Sequence, residues 1–232
     1  MESSLNETNG STSGELTDRA LAGWEIVSVT SSVLIAAWLA ELPVRVAKSA
    51  MVVPIALALS LAIFSHRLRR EHLRDLGFRL DNFGRAIILL IPPMALISVV
   101  LLIIGWLTGH RMNFLSWHVE RPLLLQLAVG IAWGFLQQYI LQGYVNRRAQ
   151  IIWGKGWLSV TVVAIVFSFL HLPNPWLMVI TFVGGVVWAT IYQNTPNLFA
   201  LAISHSIMTW ILVSALPPRV LQHLRVGLKY FS

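Results

Sequence analysis

The chain has 232 residues, of which 56% are apolar and only 12% carry charge. Its mean hydropathy is +0.69, and a soluble domain of this length would need more charged side chains to cover its core. The net charge is +7 and there is no cysteine, which excludes disulfides, thiol catalysis, iron–sulfur clusters and palmitoylation. Lipid is therefore the predicted solvent for most of the chain.

The order of polar and apolar segments predicts an all-α, polytopic membrane helix bundle of six to eight transmembrane helices. We divide the chain into a disordered polar tail, accessory transmembrane helices, a core of helices and an amphipathic C-terminal segment, at residues 1–20, 21–121, 122–216 and 217–232. Seven apolar stretches carry this prediction, at about residues 24–42, 46–65, 85–107, 122–145, 157–171, 176–193 and 197–216.

Basic residues concentrate between the second and third apolar stretches. Because positively charged loops stay inside, this loop and the N-terminus are predicted to be cytoplasmic, in the plasma membrane of a prokaryote. The basic residues border apolar stretches and suit anionic lipid headgroups, whereas no basic stripe alternates with exposed aromatics as nucleic-acid binding requires. Membrane lipids are thus expected partners, nucleic acid is not, and the oligomeric state stays open. The loop's arginines are Arg67, Arg69, Arg70, Arg74, Arg79 and Arg85.

Polar side chains at bilayer depth are the candidate functional residues, because an unpaired polar group there costs free energy. The fourth stretch carries a glutamine set, the fifth ends in a histidine, and the seventh carries a histidine with a threonine four residues on. These candidates are Gln137, Gln138, Gln142, His171, His205 and Thr209.

Helical spacing predicts that these groups meet. Gln138 and Gln142 are one α-helical turn apart and share a face, as do His205 and Thr209. At about 1.5 Å per residue, Gln137 and His205 lie at similar depths, whereas His171 meets them only if its helix begins deep or tilts strongly. His171 precedes a Pro-Asn-Pro turn, where the helix dipole alone favours a histidine. Simple interhelical hydrogen bonding is the competing interpretation of the glutamines.

In order, these elements resemble the signature of the CAAX prenyl protease and bacteriocin-processing (Abi) family of intramembrane endopeptidases, over residues 122–216. That family carries Glu-Glu-x-x-x-Arg, Phe-x-x-x-His and His-x-x-x-Asn or Asp on three helices. This chain has Gln137-Gln138-x-x-x-Gln142, Phe167-x-x-x-His171 and His205-x-x-x-Thr209. The resemblance implies that these positions form the catalytic site, acting on a peptide or lipidated protein tail in the membrane.

The replaced residues are the ones that carry the chemistry. By resemblance, a glutamate polarises the attacking water while histidines and an amide stabilise the oxyanion, but a glutamine amide cannot accept that proton. Glu25 and Glu41 are the carboxylates that the first stretch offers instead. Two histidines with amide carbonyls make a poor zinc site, so no metal and no cofactor are expected.

Four functional interpretations follow from these residues. The first is a protease-like membrane protein that binds or cleaves a peptide or lipidated tail, and whether it is an enzyme stays open. A catalytically silent scaffold of the same fold is its closest alternative. A small transporter with a polar path, or a purely structural bundle, are the others.

Overall fold

The computed structural model describes residues 2–39, 52–114 and 123–231. Within these ranges the chain consists of helices joined by turns. The helices are α1 Glu2–Leu39, α2 Val52–Leu68, α3 Phe83–Leu107, α4 Leu123–Gln138, a π-helical segment Tyr139–Asn146, α5 Arg147–Trp153, α6 Trp157–Phe169, α7 Pro175–Asn194, α8 Leu198–Ala215, α9 Pro218–Leu221 and short 3₁₀ turns Gln222–Leu224 and Gly227–Phe231.

Each predicted apolar stretch coincides with helical structure, to within a few residues where its ends are described, except that α1 begins well before the first stretch. Four helical spans, Gly14–Leu39, Phe83–Leu107, Pro175–Asn194 and Leu198–Ala215, are long and apolar enough to cross a membrane. Large apolar side chains on their outer faces are exposed, among them Ile88 at 68% and Leu96 at 67%, as lipid-facing residues are. The predicted polytopic membrane helix bundle is confirmed, while the number of spans stays a prediction.

The structure differs from the predicted tail in residues 2–20, where α1 already begins at Glu2. No proline interrupts this stretch, so the helix of the apolar residues propagates toward the N-terminus, because each added residue gains one hydrogen bond. The four-part division of the chain stays a prediction.

Glycines bring the helices of the core into close contact. A Cβ on Gly134 of α4 would lie 2.9 Å from the Ala202 carbonyl oxygen of α8. One on Gly185 of α7 would lie 2.8 Å from the Ala164 Cα of α6. These helix pairs therefore approach closely enough to bury the polar side chains of α4 and α8 between them.

The loop between α2 and α3 is fixed to the turn between α7 and α8, and the two define one end of the bundle, here called the arginine-rich end. The backbone N–H of Leu198 donates to the Gly77 carbonyl over 2.9 Å, and the Tyr192 hydroxyl donates to the Leu76 carbonyl over 3.0 Å. Asn197 accepts from the Ala200 N–H as the N-cap of α8. Because the turn is fixed, the depth of every residue on α8 is also fixed.

The C-terminal segment lies against the start of α7, at the opposite end from the α7–α8 turn. The Asn174 side chain caps α7 and donates to the Leu221 and Arg225 carbonyls over 2.9 and 3.1 Å. Gly227 N–H donates to the Leu172 carbonyl over 2.8 Å. Hydrogen bonds to Asn174 and Leu172 therefore hold the short helical turns of this segment against the start of α7.

Candidate functional site

The site begins where α4 changes its helical form. Gln138 is the last residue of α4, and the next eight residues, Tyr139–Asn146, form a π-helix. π-Helical turns are rare and are frequently found at functional sites. The candidate glutamines therefore lie on both sides of a change in helical pitch that the sequence did not reveal.

Gln138 and His205 form the centre of the site. The Gln138 amide nitrogen Nε2 lies 3.0 Å from Nδ1 of His205, and the two residues are 0% and 7% exposed. In this arrangement the amide donates and Nδ1 accepts, so the neutral imidazole carries its proton on Nε2. The Gln138 carbonyl oxygen Oε1 is buried without a partner among the described residues.

Trp188 of α7 fixes the plane of the His205 ring. The two rings are stacked, with centroids 4.7 Å apart and an interplanar angle of 8°. The indole N–H of Trp188 donates to Ser204 Oγ over 2.9 Å, which fixes the indole in turn. A Cβ on Gly184 would lie 2.9 Å from the Trp188 ring, so the glycine leaves the space that the indole occupies.

Phe167 brings the second histidine to the same place. Its ring centroid lies 5.9 Å from that of His205 and 5.0 Å from that of His171. His171 follows the end of α6, is half-buried, and its Nδ1 bonds the Phe167 carbonyl over 2.8 Å. Nδ1 must donate to a carbonyl oxygen, so Nε2 of the neutral ring is free to accept a hydrogen bond.

Two other candidates lie away from this centre. Gln142 Oε1 accepts from Asn146 Nδ2 over 2.7 Å, and Asn146 Oδ1 accepts from Gln193 Nε2 over 3.0 Å. Gln142 therefore belongs to an amide network nearer the arginine-rich end. Gln142 makes no hydrogen bond to Gln138 or His205 within the described residues, and its place in the same site stays a prediction.

Thr209 is bonded locally. Its hydroxyl donates to the His205 carbonyl over 3.0 Å, which is the usual back-bond of a threonine in an apolar helix. Gln137 is half-buried beside Gln138 and makes no hydrogen bond to a described residue. Of the six predicted site residues, the structure thus brings Gln138, His171 and His205 together, with Gln137 adjacent in sequence.

The carboxylate expected from the first apolar stretch is elsewhere. Glu25 pairs with Arg69 and Arg148, at the arginine-rich end, and Glu41 lies outside the described residues. No group of three or more His, Asp or Glu residues that could hold a metal ion is present in the part of the chain that the structure describes.

A second polar group lies at the arginine-rich end and is here called the arginine cluster. It consists of Glu25, Ser65, His66, Arg69, Glu71, Arg147 and Arg148. The Arg148 side chain is fully buried and pairs with Glu71 over 2.8 Å and with Glu25 over 3.0 Å. Burial alone would raise the pKa of Glu71, but hydrogen bonds from His66, Arg148 and Arg147 outweigh it and hold this pKa far below its usual range.

These features define a polytopic helical membrane protein with a buried glutamine–histidine pair at the centre of its helix core. A family model described as "Type II CAAX prenyl endopeptidase Rce1-like" matches residues 119–211, the segment that contains all six predicted site residues. The predicted kinship of this segment with the CAAX prenyl protease family is confirmed. No curated protein and no solved structure matches the chain.

Sequence reasoning missed Trp188, the residue in closest ring contact with His205. A tryptophan in the middle of an apolar span, four residues after Gly184-Gly185, was the available signal, since membrane tryptophans otherwise concentrate at interfaces. It also missed the arginine cluster, whose members come from three distant parts of the chain.

Proposed function

We propose that this protein binds a peptide or lipidated protein tail within the membrane, as a relative of CAAX prenyl endopeptidases with slow or absent hydrolysis. One observation carries the proposal: the hydrogen bond between Gln138 and His205 stands where the family resemblance implies a glutamate and a histidine. The pair keeps the polar shape of the site but contains no carboxylate.

The pair is suited to hold one peptide group. With Nδ1 occupied, His205 offers an N–H donor at Nε2, and Gln138 offers the unpartnered acceptor Oε1. A backbone amide presents the matching carbonyl and N–H. Ligand binding would satisfy the buried Oε1, which otherwise costs about 1–3 kcal/mol. His171 and Gln137, both half-buried, form the proposed side of approach.

The same geometry disfavours hydrolysis. An amide has no useful proton affinity, so Gln138 cannot take a proton from water. The basic nitrogen of His205 is already bonded to Gln138, and within the described residues no carboxylate bonds either histidine. Loss of a general base costs about 10²- to 10⁴-fold in rate. His205 and His171 are left with binding and oxyanion-stabilising roles.

A binding and cleavage assay with a farnesylated peptide tests this proposal in purified, detergent-solubilised protein. We expect wild type to bind the peptide and to release no product, and His205→Ala to lose binding. Gln138→Glu, alone and with Gln137→Glu, restores the carboxylate beside His205, and we expect detectable cleavage from one of these variants. His110→Ala, a histidine outside the site, is the matched control.

The outcomes separate the alternatives. Cleavage by wild type that His205→Ala abolishes would show an active endopeptidase and would overturn the silent reading. Peptide binding that is unchanged in both His205→Ala and Gln138→Ala would show that this pair is not the peptide-binding site. Unchanged folding is checked by size-exclusion chromatography of every variant.

We further propose that the arginine-rich end faces the cytoplasm of a prokaryotic cell, with the start of α1 on the same side. The arginines of the α2–α3 loop support this orientation. The chain has no cysteine, so single cysteines can report it directly. We expect Arg74→Cys to react only with a permeant maleimide in intact cells, and Leu228→Cys to react also with an impermeant one. The reverse pattern would invert the orientation.

A further inference from the structure

A pocket of about 380 Å³ opens between the end of α2 and the loop that follows it, next to Tyr139 of the π-helical segment. Its lining is part apolar and part polar. The apolar residues include Ile63, Leu73 and Phe78, and the polar ones include Arg67, Arg70, His72 and the carboxylate of Glu71. The pocket lies at the arginine-rich end, apart from the Gln138–His205 pair. Its lining thus combines a hydrocarbon surface with two guanidinium groups and one carboxylate.

The charges around this pocket are unbalanced. Glu71 pairs with Arg147 and Arg148, and Asp81 pairs with Arg74 and Arg79. The remaining carboxylate of the loop, Asp75, does not line the pocket.

The two arginines that line the pocket have no carboxylate partner among the described residues. Arg67 and Arg70 are exposed, and neither forms an ion pair or a side-chain hydrogen bond with any other described residue. Two guanidinium groups three residues apart are therefore available to an anion, for which arginine offers paired donors.

A buried polar atom supplies an independent sign of a ligand. His66 is 8% exposed and lines the pocket. Its Nδ1 bonds Glu71 over 2.6 Å, but its Nε2 is buried without a partner within the described ranges. Buried polar atoms of native proteins are nearly always bonded. Since Nδ1 donates to the Glu71 carboxylate, Nε2 is the acceptor of the ring, and a hydroxyl group of a bound molecule would satisfy it.

The position of the pocket favours an amphiphilic ligand. Ile63 and Phe64 of α2 are 51% and 67% exposed, and Leu73 of the loop is 65% exposed. These apolar surfaces continue the lipid-facing side of α2 up to the level at which Arg67 and Arg70 begin. The pocket therefore crosses the boundary between hydrocarbon and headgroup, where anionic lipids attract arginine.

We propose that this pocket is a binding site for a phosphate-bearing anionic membrane lipid. The phosphate lies between Arg67 and Arg70, a headgroup hydroxyl donates to Nε2 of His66, and an acyl chain follows Ile63 and Leu73. Because the loop is fixed to the α7–α8 turn by Gly77 and Leu198, the bound lipid would also stabilise the loop on the helix core. This site does not depend on the proposed peptide site.

Native mass spectrometry and thermal unfolding of the full chain in nanodiscs test the proposal. The lipid mixtures contain phosphatidylcholine with or without phosphatidylglycerol. We expect wild type to retain phosphatidylglycerol selectively and to unfold at a higher temperature when it is present. Arg67→Ala with Arg70→Ala should weaken this retention about tenfold or more. Arg74→Ala with Arg85→Ala removes the same charge at the same end of the bundle, and should change it less than about twofold.

Three results would overturn the proposal. They are equal retention of both lipids by wild type, an equal loss in the control pair, and displacement of the lipid by millimolar inorganic phosphate. The last would indicate a site for soluble phosphate. Arg67→Lys with Arg70→Lys keeps the charge and should recover part of the retention. Size-exclusion chromatography verifies folding, and the wild-type lipid comparison stands without any variant.

Discussion

The arginine cluster and the Gln138–His205 site are both buried polar groups, but the first consists of ion pairs and the second of neutral hydrogen bonds. In the cluster, guanidinium and carboxylate groups lie in direct contact, as Arg148 does with Glu25 and Glu71. In the central site, amides and imidazoles meet, and no carboxylate touches either histidine in the part of the chain described. The cluster therefore holds charge, whereas the centre holds only neutral hydrogen bonds.

This contrast follows from the solvent at each level. A buried ion pair near the end of the bundle lies closer to water and headgroups than one at the centre, which lowers the cost of burying its charges. At the centre the surrounding lipid makes a charge expensive. A glutamate beside His205 would place a costly charge at the centre, where its use would be catalytic. A glutamine at the same position keeps the hydrogen bond without the charge. The charged cluster and the neutral centre can therefore be tested by separate substitutions.

The largest expected effect is that of Arg148→Ala. The substitution leaves Glu25 and Glu71 buried without their shared cation, and breaking a buried ion pair in this way costs about 3–5 kcal/mol. Denaturant unfolding in detergent micelles measures it. Arg74→Ala is the control, because that side chain is 66% exposed, and we expect a change within about 0.5 kcal/mol. Equal effects of the two substitutions would show that the cluster does not stabilise the bundle.

Acidification should weaken the cluster through Glu71. Its pKa in the folded protein lies below the ordinary value of 4.5, so the fold favours the ionised form. The resulting stability is present at neutral pH and is lost as the pH falls below about 4.5 toward the folded pKa. We expect Glu71→Gln to be less stable at neutral pH and to show a flatter acid dependence. Glu15→Gln, at an exposed position of α1, should keep the wild-type slope, and a wild-type slope in Glu71→Gln would contradict the assignment.

The two glycines of α4 offer a matched test of the central site. A Cβ at Gly134 would lie 2.8 Å from Ser206 Oγ and 2.9 Å from the Ala202 carbonyl, whereas one at Gly130 meets nothing within 4 Å. Gly134→Ala should push α4 away from α8 and cost about 1–3 kcal/mol. Gly130→Ala should be neutral or stabilising by about 0.5–1 kcal/mol, since glycine weakens a helix. Thermal unfolding in micelles measures both, and effects of the same sign would refute the close packing of α4 on α8.

The helices were largely predictable from the sequence because apolar length and turn residues act locally. The start of α8 follows from Asn197, which caps it, and the end of α6 from the Leu-Pro-Asn-Pro turn. The meeting of Gln138 with His205 was also predictable, since equal depth in a bilayer is a one-dimensional property that counting residues can estimate.

What could not be predicted depends on geometry across the bundle. Gln142 bonds Asn146 and not a residue of the central site, and an interpretation based on 3.6 residues per turn cannot detect the π-helix that carries both residues. Glu25 and Arg148 are 123 positions apart in the sequence, so their pairing follows from helix packing alone. No local pattern indicates such partners.

The smallest expected effect is that of Trp188→Phe. A phenyl ring can still stack on His205, but the hydrogen bond to Ser204 is lost, and Ser204 keeps its own bond to the Leu201 carbonyl. We therefore expect a loss of about 1 kcal/mol with little change in peptide binding. The measurement is unfolding in micelles, paired with the binding assay.

Trp188→Leu separates stacking from hydrogen bonding, because it removes both interactions while keeping an apolar side chain. It should destabilise more than Trp188→Phe and should weaken peptide binding, since His205 loses the ring that fixes its plane. Trp176→Phe is the control, as Trp176 is 55% exposed and should change stability by less than about 0.5 kcal/mol. If Trp188→Phe and Trp188→Leu bind peptide equally well, stacking does not orient His205, and neutral hydrogen bonds alone hold the centre of the bundle.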